Sequence, residues 1–210
     1  MAEFLGRHGV RDGYPYAMEH MSEPHLLERA VAALAAIGDG RAVEASRKIL
    51  ESSNDDAWSQ AAIRVLGAMG DRQMTPRFLA IVADRRNPLA PAALIALGDL
   101  GENQALPAMR EALASRSEQT VVAAAHASGK LIKRTGENAN ALRDALAALL
   151  VDSSATQRMR AAALDSLLGI DDPRLNAALA AAVADASLEA SEMLERIVKL
   201  LRERRVRLAA

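Results

Sequence analysis

The sequence predicts an all-α protein, an α-α superhelix (solenoid) of about five helical hairpins closed by a C-terminal capping helix. Three observations carry that reading. Half of the 210 residues are hydrophobic while only 2% are aromatic, so alanine and leucine, both strong helix formers, supply the apolar content. Few stretches alternate with the period of two that a half-buried strand needs. Between Ala61 and Ser115 one pattern is written twice: a small-apolar helix ends in Leu-Gly-x-Met/Leu-Gly-Asp/Glu, and a second amphipathic helix follows.

Residues 1–21 stand outside the pattern. They hold both tyrosines and little alanine, and they are expected to form a flexible leader or an irregular cap. The His20-Met21 pair before Ser22 is also what a cloning junction leaves, so a native and a vector-derived origin both stand open. The repeat domain is expected over 22–210.

Ser22 and Glu23-Pro24 read as a helix start with proline in the first turn. The first hairpin places helix A at 26–36, a turn at Ile37-Gly38-Asp39 and helix B at 41–51. The second has helix A at 58–68, the turn Met69-Gly70-Asp71 and helix B at 74–84. The third has helix A at 88–99, the turn Leu100-Gly101-Glu102 and helix B at 104–115. The fourth has helix A at 119–133, a longer turn at 134–138 and helix B at 140–151. The fifth has helix A at 156–168, the turn Ile170-Asp171-Asp172 and helix B at 173–185, and a last helix at 188–207 has no partner after it.

The register is regular. Asp39 and Asp71 are 32 residues apart, Asp71 and Glu102 31, Glu102 and Ala139 37, and Ala139 and Asp172 33. Two helices per unit of thirty-odd residues is the signature of an α-solenoid. Three columns then align in helix A: Ala30, Ala62, Ala93, Ala124 and Ala163; Val31, Ile63, Leu94, Ala125 and Leu164; Leu34, Leu66, Leu97, Ser128 and Leu167. Neighbouring helices approach closely only where side chains are small, so a bulky residue at Ala93 is expected to overpack the joint at ~1–3 kcal/mol. Gly38, Gly70 and Gly101 supply positive φ where helix A stops. Asp39, Asp71 and Asp172 sit where a helix-B cap is wanted, and Pro76 and Pro107 fall early in helix B, where a missing N–H matters least.

These residues resemble the HEAT-like repeats of the phycobilisome-lyase type. The turn motif is met by Leu66-Gly67-Ala68-Met69-Gly70-Asp71 and by Leu97-Gly98-Asp99-Leu100-Gly101-Glu102, and the helix-B motif by Ala105-Leu106, Met109 and Leu113. The first repeat departs at Ser46, the fourth at its long turn, and the fifth lacks the turn glycine. The resemblance covers about 22–185. It implies the fold; it leaves function open, since such repeats occur in scaffolds, lyases and DNA-repair proteins.

Composition bounds the function further. Twenty-six basic and 27 acidic residues give a net charge of −1, which argues against a field that attracts nucleic acid or anionic membrane. The chain has no cysteine, so thiol catalysis, disulfides and Cys-based zinc sites are excluded. No apolar run approaches the ~20 residues that span a bilayer, and no secretory signal opens the sequence. A cytoplasmic protein is expected.

No constellation carries chemistry. His126, in a mixed column with Ala32, Arg64, Ile95 and Asp165, has no second histidine within a helical turn and reads as a solitary surface or semi-buried histidine rather than a base or ligand. A HEAT-type fold can carry a metal-dependent hydroxylase built on repeated His-Glu pairs, and this sequence contains no His-Glu dipeptide. Gly38-Asp39-Gly40 and Ser128-Gly129-Lys130 lack the remaining glycines of a phosphate loop and read as helix-ending turns. Ser52-Ser53 and Ser153-Ser154 have no nearby histidine to activate them. No catalytic residue, metal or cofactor is assigned.

The informative surface is the concave face, which the resemblance assigns to the B helices. Its non-core positions are Glu44, Arg47, Lys48, Thr75, Arg77, Arg110, Glu111, Arg143 and Asp144, with Asn176 in the fifth helix B. Beyond Arg174 and Asn176 that fifth helix is alanine nearly all round, so either the last helix covers it or it forms a shallow apolar groove for a partner helix. The last helix carries Leu194, Ile197, Val198 and Leu201 on one stripe and then Arg202, Arg204, Arg205 and Arg207, which suit a helix C-terminus.

The expected function is a non-catalytic protein-binding scaffold or adaptor that grips another protein's helix or loop. The resemblance alone implies a first alternative, a phycobilin lyase or chromophore-protein chaperone subunit. Binding of duplex DNA is the second; near-zero net charge and scarce aromatics argue against it.

Overall fold

The computed structural model describes residues 13–168 and Ile170, with Asn176, Leu179, Ala180, Val183, Glu195, Val198 and Lys199 described singly. Among them there is helix and no strand. The fifth turn, most of the fifth helix B and the last helix lie outside the described residues, as does the cap expected at Asp172. The chain divides into two compact units, Met1–Leu100 and Gly101–Ala210.

The first unit comprises α1 (Gly13–His20), α2 (Leu27–Ile37), α3 (Gly40–Ser52), α4 (Asp56–Ala68), α5 (Thr75–Ala83) and α6 (Ala90–Leu100). Helices α2, α4 and α6 are the A helices of three hairpins; α2 packs on α4 and α4 on α6. Helix α3 lies against α4 and α5 against α6, so each B helix packs on helix A of the following hairpin. The second unit holds α7 (Leu106–Leu113), α8 (Glu118–Thr135), α9 (Asn140–Val151) and α10 (Gln157–Leu168). There α7 packs on α8, α8 on α10 and α9 on α10, with α7 beside α9.

The three columns read from the sequence are the core. All five alanines of the first are at most 3% exposed, and every member of the other two is buried, Ser128 included. A closer approach lies one residue beyond the leucine column. A Cβ placed on Gly67 would stand 2.5 Å from the Ala96 Cα, and one on Gly129 would stand 2.9 Å from the Ser166 Cβ. Ser166 also donates across the joint to the Ala125 carbonyl, at 2.8 Å. The joint between A helices is thus set by backbone against small side chain, which is how an alanine-rich core reaches native packing density.

Helix ends follow the sequence at several places and depart from it at others: α2 begins at Leu27, past Ser22 and Pro24, and Ser128-Gly129-Lys130, expected as a helix-ending turn, lies inside α8. Gly38 turns left-handed (φ 66°) and its N–H closes on the Leu34 carbonyl; Gly70 does the same work at φ 77°. Asp39 caps α3 by accepting the Arg41 N–H at 2.9 Å. Asp71 does not cap: short 3-10 turns, Arg72–Met74 and Asn103–Ala105, lead into α5 and α7 instead, and Pro76 and Pro107 fill the first turns. In the fourth hairpin α8 runs on to Thr135 and then into a 3-10 turn, Gly136–Ala139. The extra residues lengthen helix A because nothing before Gly136 (φ 59°) stops it.

Of the two forms expected for 1–21, a flexible leader or an irregular cap, the described part takes the second. Gly13–His20 is helical and packs on α2. Gly13, Ala17 and Met21, four residues apart, form its buried stripe. Two turns are too few to show as a periodic pattern, and two of the three buried residues are small. The Arg41 guanidinium, chelated by Asp39, lies 4.5 Å from the centre of the Tyr14 ring, a cation–π contact that ties α1 to the start of α3.

The units differ in composition. Every phenylalanine, tyrosine and tryptophan of the chain falls before Gly101, and among those described only Phe78 is fully buried. Two hydroxyls, Ser46 Oγ and Thr75 Oγ1, are buried in the first unit without a hydrogen-bond partner.

Two substitutions at helical glycines are expected to act in opposite directions. Gly67→Ala gains about 1 kcal/mol of helix propensity but collides with the Ala96 backbone, where overpacking costs ~1–3 kcal/mol, so it lowers the melting temperature. Gly40→Ala, with open space around the new methyl, raises it. Ser46→Ala, which removes a buried hydroxyl without a partner, is expected to stabilise by about 1 kcal/mol, read from urea midpoints.

Candidate functional site

The B helices expose a row of charged side chains, and the structure sorts them by what each already does. On α3, Glu44 and Lys48 are exposed, and neither charged group has a hydrogen bond or ion pair with a described residue. Arg47 is different. Its Nε and Nη2 fork onto the Asp71 carboxylate at 2.7 and 2.6 Å, and Nη2 also reaches Gln73 Oε1 at 3.0 Å. The Asp71 side chain is 5% exposed and that of Arg47 36%. The hydrogen bond to Asp71 pushes the Arg47 guanidinium above its ordinary pKa. Asp71 is therefore withdrawn from capping: it joins helix B of one hairpin to the turn of the next.

Arg77, on α5, is a second link. Its Nη2 donates to the Leu50 carbonyl at 2.7 Å, satisfying one of the acceptors left open at the end of α3. Thr75 must be removed from the exposed set. It is the first residue of α5, turned inward, with 0% exposure; helical register puts it on the same side as Phe78, three residues on and also fully buried.

In the second unit Arg110 and Glu111 are exposed on α7 and Asp144 on α9. Arg143 is half-buried and donates to the Asn140 side chain. Asn176 is helical and half-buried. The surface expected from the sequence thus comprises, in the first unit, Glu44 and Lys48 outward with Arg47 and Arg77 engaged, and, in the second, Arg110, Glu111 and Asp144 outward. His126 is exposed, as expected. Among the described residues no group of three or more histidine, aspartate or glutamate side chains is arranged to hold a metal ion, and no helix is long and apolar enough to cross a membrane.

Sequence reasoning missed the links. Nothing in the sequence marks Arg47 as the partner of a carboxylate 24 residues on; the signal is the repeat itself, which brings the end of one helix B beside the next turn.

Stacked helical hairpins with buried alanine columns define an α-α solenoid protein. Residues 43–129 match the family model for HEAT repeats, and the chain has the fold of HEAT-like repeat proteins. Among solved structures it is similar to the complex of CpcE and CpcF of phycocyanin lyase from Nostoc sp. PCC7120, at 20% identity and a TM-score of 0.56, over 96% of this chain and 86% of that one. It is similar also to human deoxyhypusine hydroxylase in complex with glycerol, at 20% identity and a TM-score of 0.50, over 96% of this chain and 78% of that one. These likenesses concern the fold. No curated protein sequence matches the chain.

Removing Arg47 leaves a nearly buried carboxylate without its cation. Arg47→Ala is expected to lower the denaturation midpoint, because the Asp71 carboxylate loses the cation that neutralises it. Arg110→Ala is expected to stay within about 0.5 kcal/mol. Chemical denaturation of the two variants side by side checks the contrast.

Proposed function

We propose that this chain is a non-catalytic scaffold or adaptor that binds another protein across the outward face of its B helices, in the cytoplasm. One observation carries the reading: Glu44, Lys48, Arg110 and Asp144 are exposed on the B helices, and their charged groups make no hydrogen bond or ion pair with a described residue. Charged side chains left out of the internal network are available to set the register of a partner. Repeat stacking gives an extended surface rather than a deep pocket, which suits a helix or loop of another protein. The similar phycocyanin lyase structure is itself a complex of two chains. Arg47 and Arg77 are tied into the fold, which leaves fewer cations for a phosphate backbone and weakens the case for DNA.

The likeness to phycocyanin lyase supports a second reading, a phycobilin lyase or chromophore-protein chaperone subunit. Incubation with a bilin and its acceptor protein distinguishes the two: a coloured covalent adduct favours the lyase.

For the scaffold, the intact chain is immobilised beside a variant carrying Glu44→Lys, Lys48→Glu, Arg110→Glu and Asp144→Lys. The expected outcome is a discrete bound protein on the wild type that is absent from the variant, with helicity and melting unchanged. Equal capture by both overturns the assignment of the face.

A further inference from the structure

Arg47 and Arg110 occupy the same place in the repeat. Each follows a buried helix-B position, Ser46 in α3 and Met109 in α7, that belongs to one column with Phe78 and Leu146. In the first unit that place has a use: Arg47 forks onto Asp71 and touches Gln73, both in the turn before the next helix B. In the fourth hairpin the equivalent positions are Ala139 and Ala141. Both acceptors have become methyl groups, and Ala139 is fully buried. Arg110 is exposed and has no hydrogen bond or ion pair with any described residue.

The surroundings of that guanidinium follow from the same register. Arg77 reaches back from α5 to α3, so its place on a helix B faces the preceding helix B. On α9 that place is Ala145, with Leu149 one turn on; α9 lies beside α7. Leu106 is one turn before Arg110 on α7. All three are half-buried, giving a narrow aliphatic floor. Asp144, exposed on α9, has no partner either, and Glu111 points outward beside Arg110.

We propose that Arg110 is the receptor for a carboxylate carried by a partner protein, an aspartate or glutamate on a helix whose aliphatic side lies on Leu106, Ala145 and Leu149. The guanidinium presents two parallel N–H donors, the geometry that Arg47 already uses on Asp71, and charge-assisted forks of this kind are the strong, directional ones. A lysine or arginine elsewhere on the same partner helix answers Asp144, so the segment bears both signs. The proposal rests on the scaffold reading and names the chemistry of its partner.

The test uses the intact chain and a helical peptide of about fifteen residues built from Ala, Leu, Glu and Lys, followed by fluorescence anisotropy of a label on the peptide and by the side-chain Nε–Hε signal of Arg110. The peptide is expected to shift the Arg110 signal and leave that of Arg47 in place. Binding is expected to weaken about tenfold when Arg110→Gln is introduced or when the peptide's glutamates become glutamines. Arg86→Gln, at an exposed arginine in the loop before α6, leaves binding unchanged. Ala139→Asp hands Arg110 an internal carboxylate and weakens binding as Arg110→Gln does. Equal binding of the two peptides, equal effects of Arg110→Gln and Arg86→Gln, or no binding at all overturns the proposal. If the single Arg110→Glu variant still captures the protein that the fourfold variant loses, the scaffold stands and this site does not.

Discussion

The distance between neighbouring A helices is the constraint on which the rest of the structure depends. Alanine buries little apolar area, so a core built from it gains stability only if backbones come close enough for dispersion contacts to accumulate. Gly67 against Ala96 and Gly129 against Ser166 set that distance. It holds the alanine column at the joint and keeps leucines such as Leu66 and Leu97 fully inside. Within each unit the B helices then have a fixed floor, and their outward residues keep a fixed register along it.

Most of this framework was legible in the sequence, because small residues recurring every thirty-odd positions have few explanations besides stacked hairpins. The columns from Ala30 to Ala163 and the left-handed turns at Gly38 and Gly70 were written plainly. What escaped was the use of individual polar groups. A carboxylate just after a helix-ending glycine looks like a cap, and at Asp39 it is one; at Asp71 an arginine from the preceding helix B takes it. The sequence shows the same residue type at both places, and only the neighbour decides. Thr75 looked outward because threonine is polar, whereas the first turn of α5 turns it in. Helix α1 escaped because its buried stripe is a glycine, an alanine and a methionine, too small and too brief to raise a periodic signal.

The same sorting alters the functional surface. The B helices carry arginines at several outward positions, and hydrogen bonding divides them into residues that hold the repeats together and residues whose charge is unpaired within the described fold. Arg47 and Arg77 belong to the first kind, Arg110 to the second. The division follows from Ala139 standing where the second turn has Asp71, so one residue in a turn decides whether an arginine of the preceding helix B finds a carboxylate within the fold.

The uneven distribution of aromatic residues has a practical consequence. With its single tryptophan at Trp58 and every tyrosine and phenylalanine ahead of Gly101, the chain emits and absorbs in the near ultraviolet from its first unit alone. Far-ultraviolet circular dichroism reads the backbone of both. Fluorescence and dichroism therefore watch different parts of the same chain, and whether their denaturation curves superimpose tells whether the two units come apart together or one at a time.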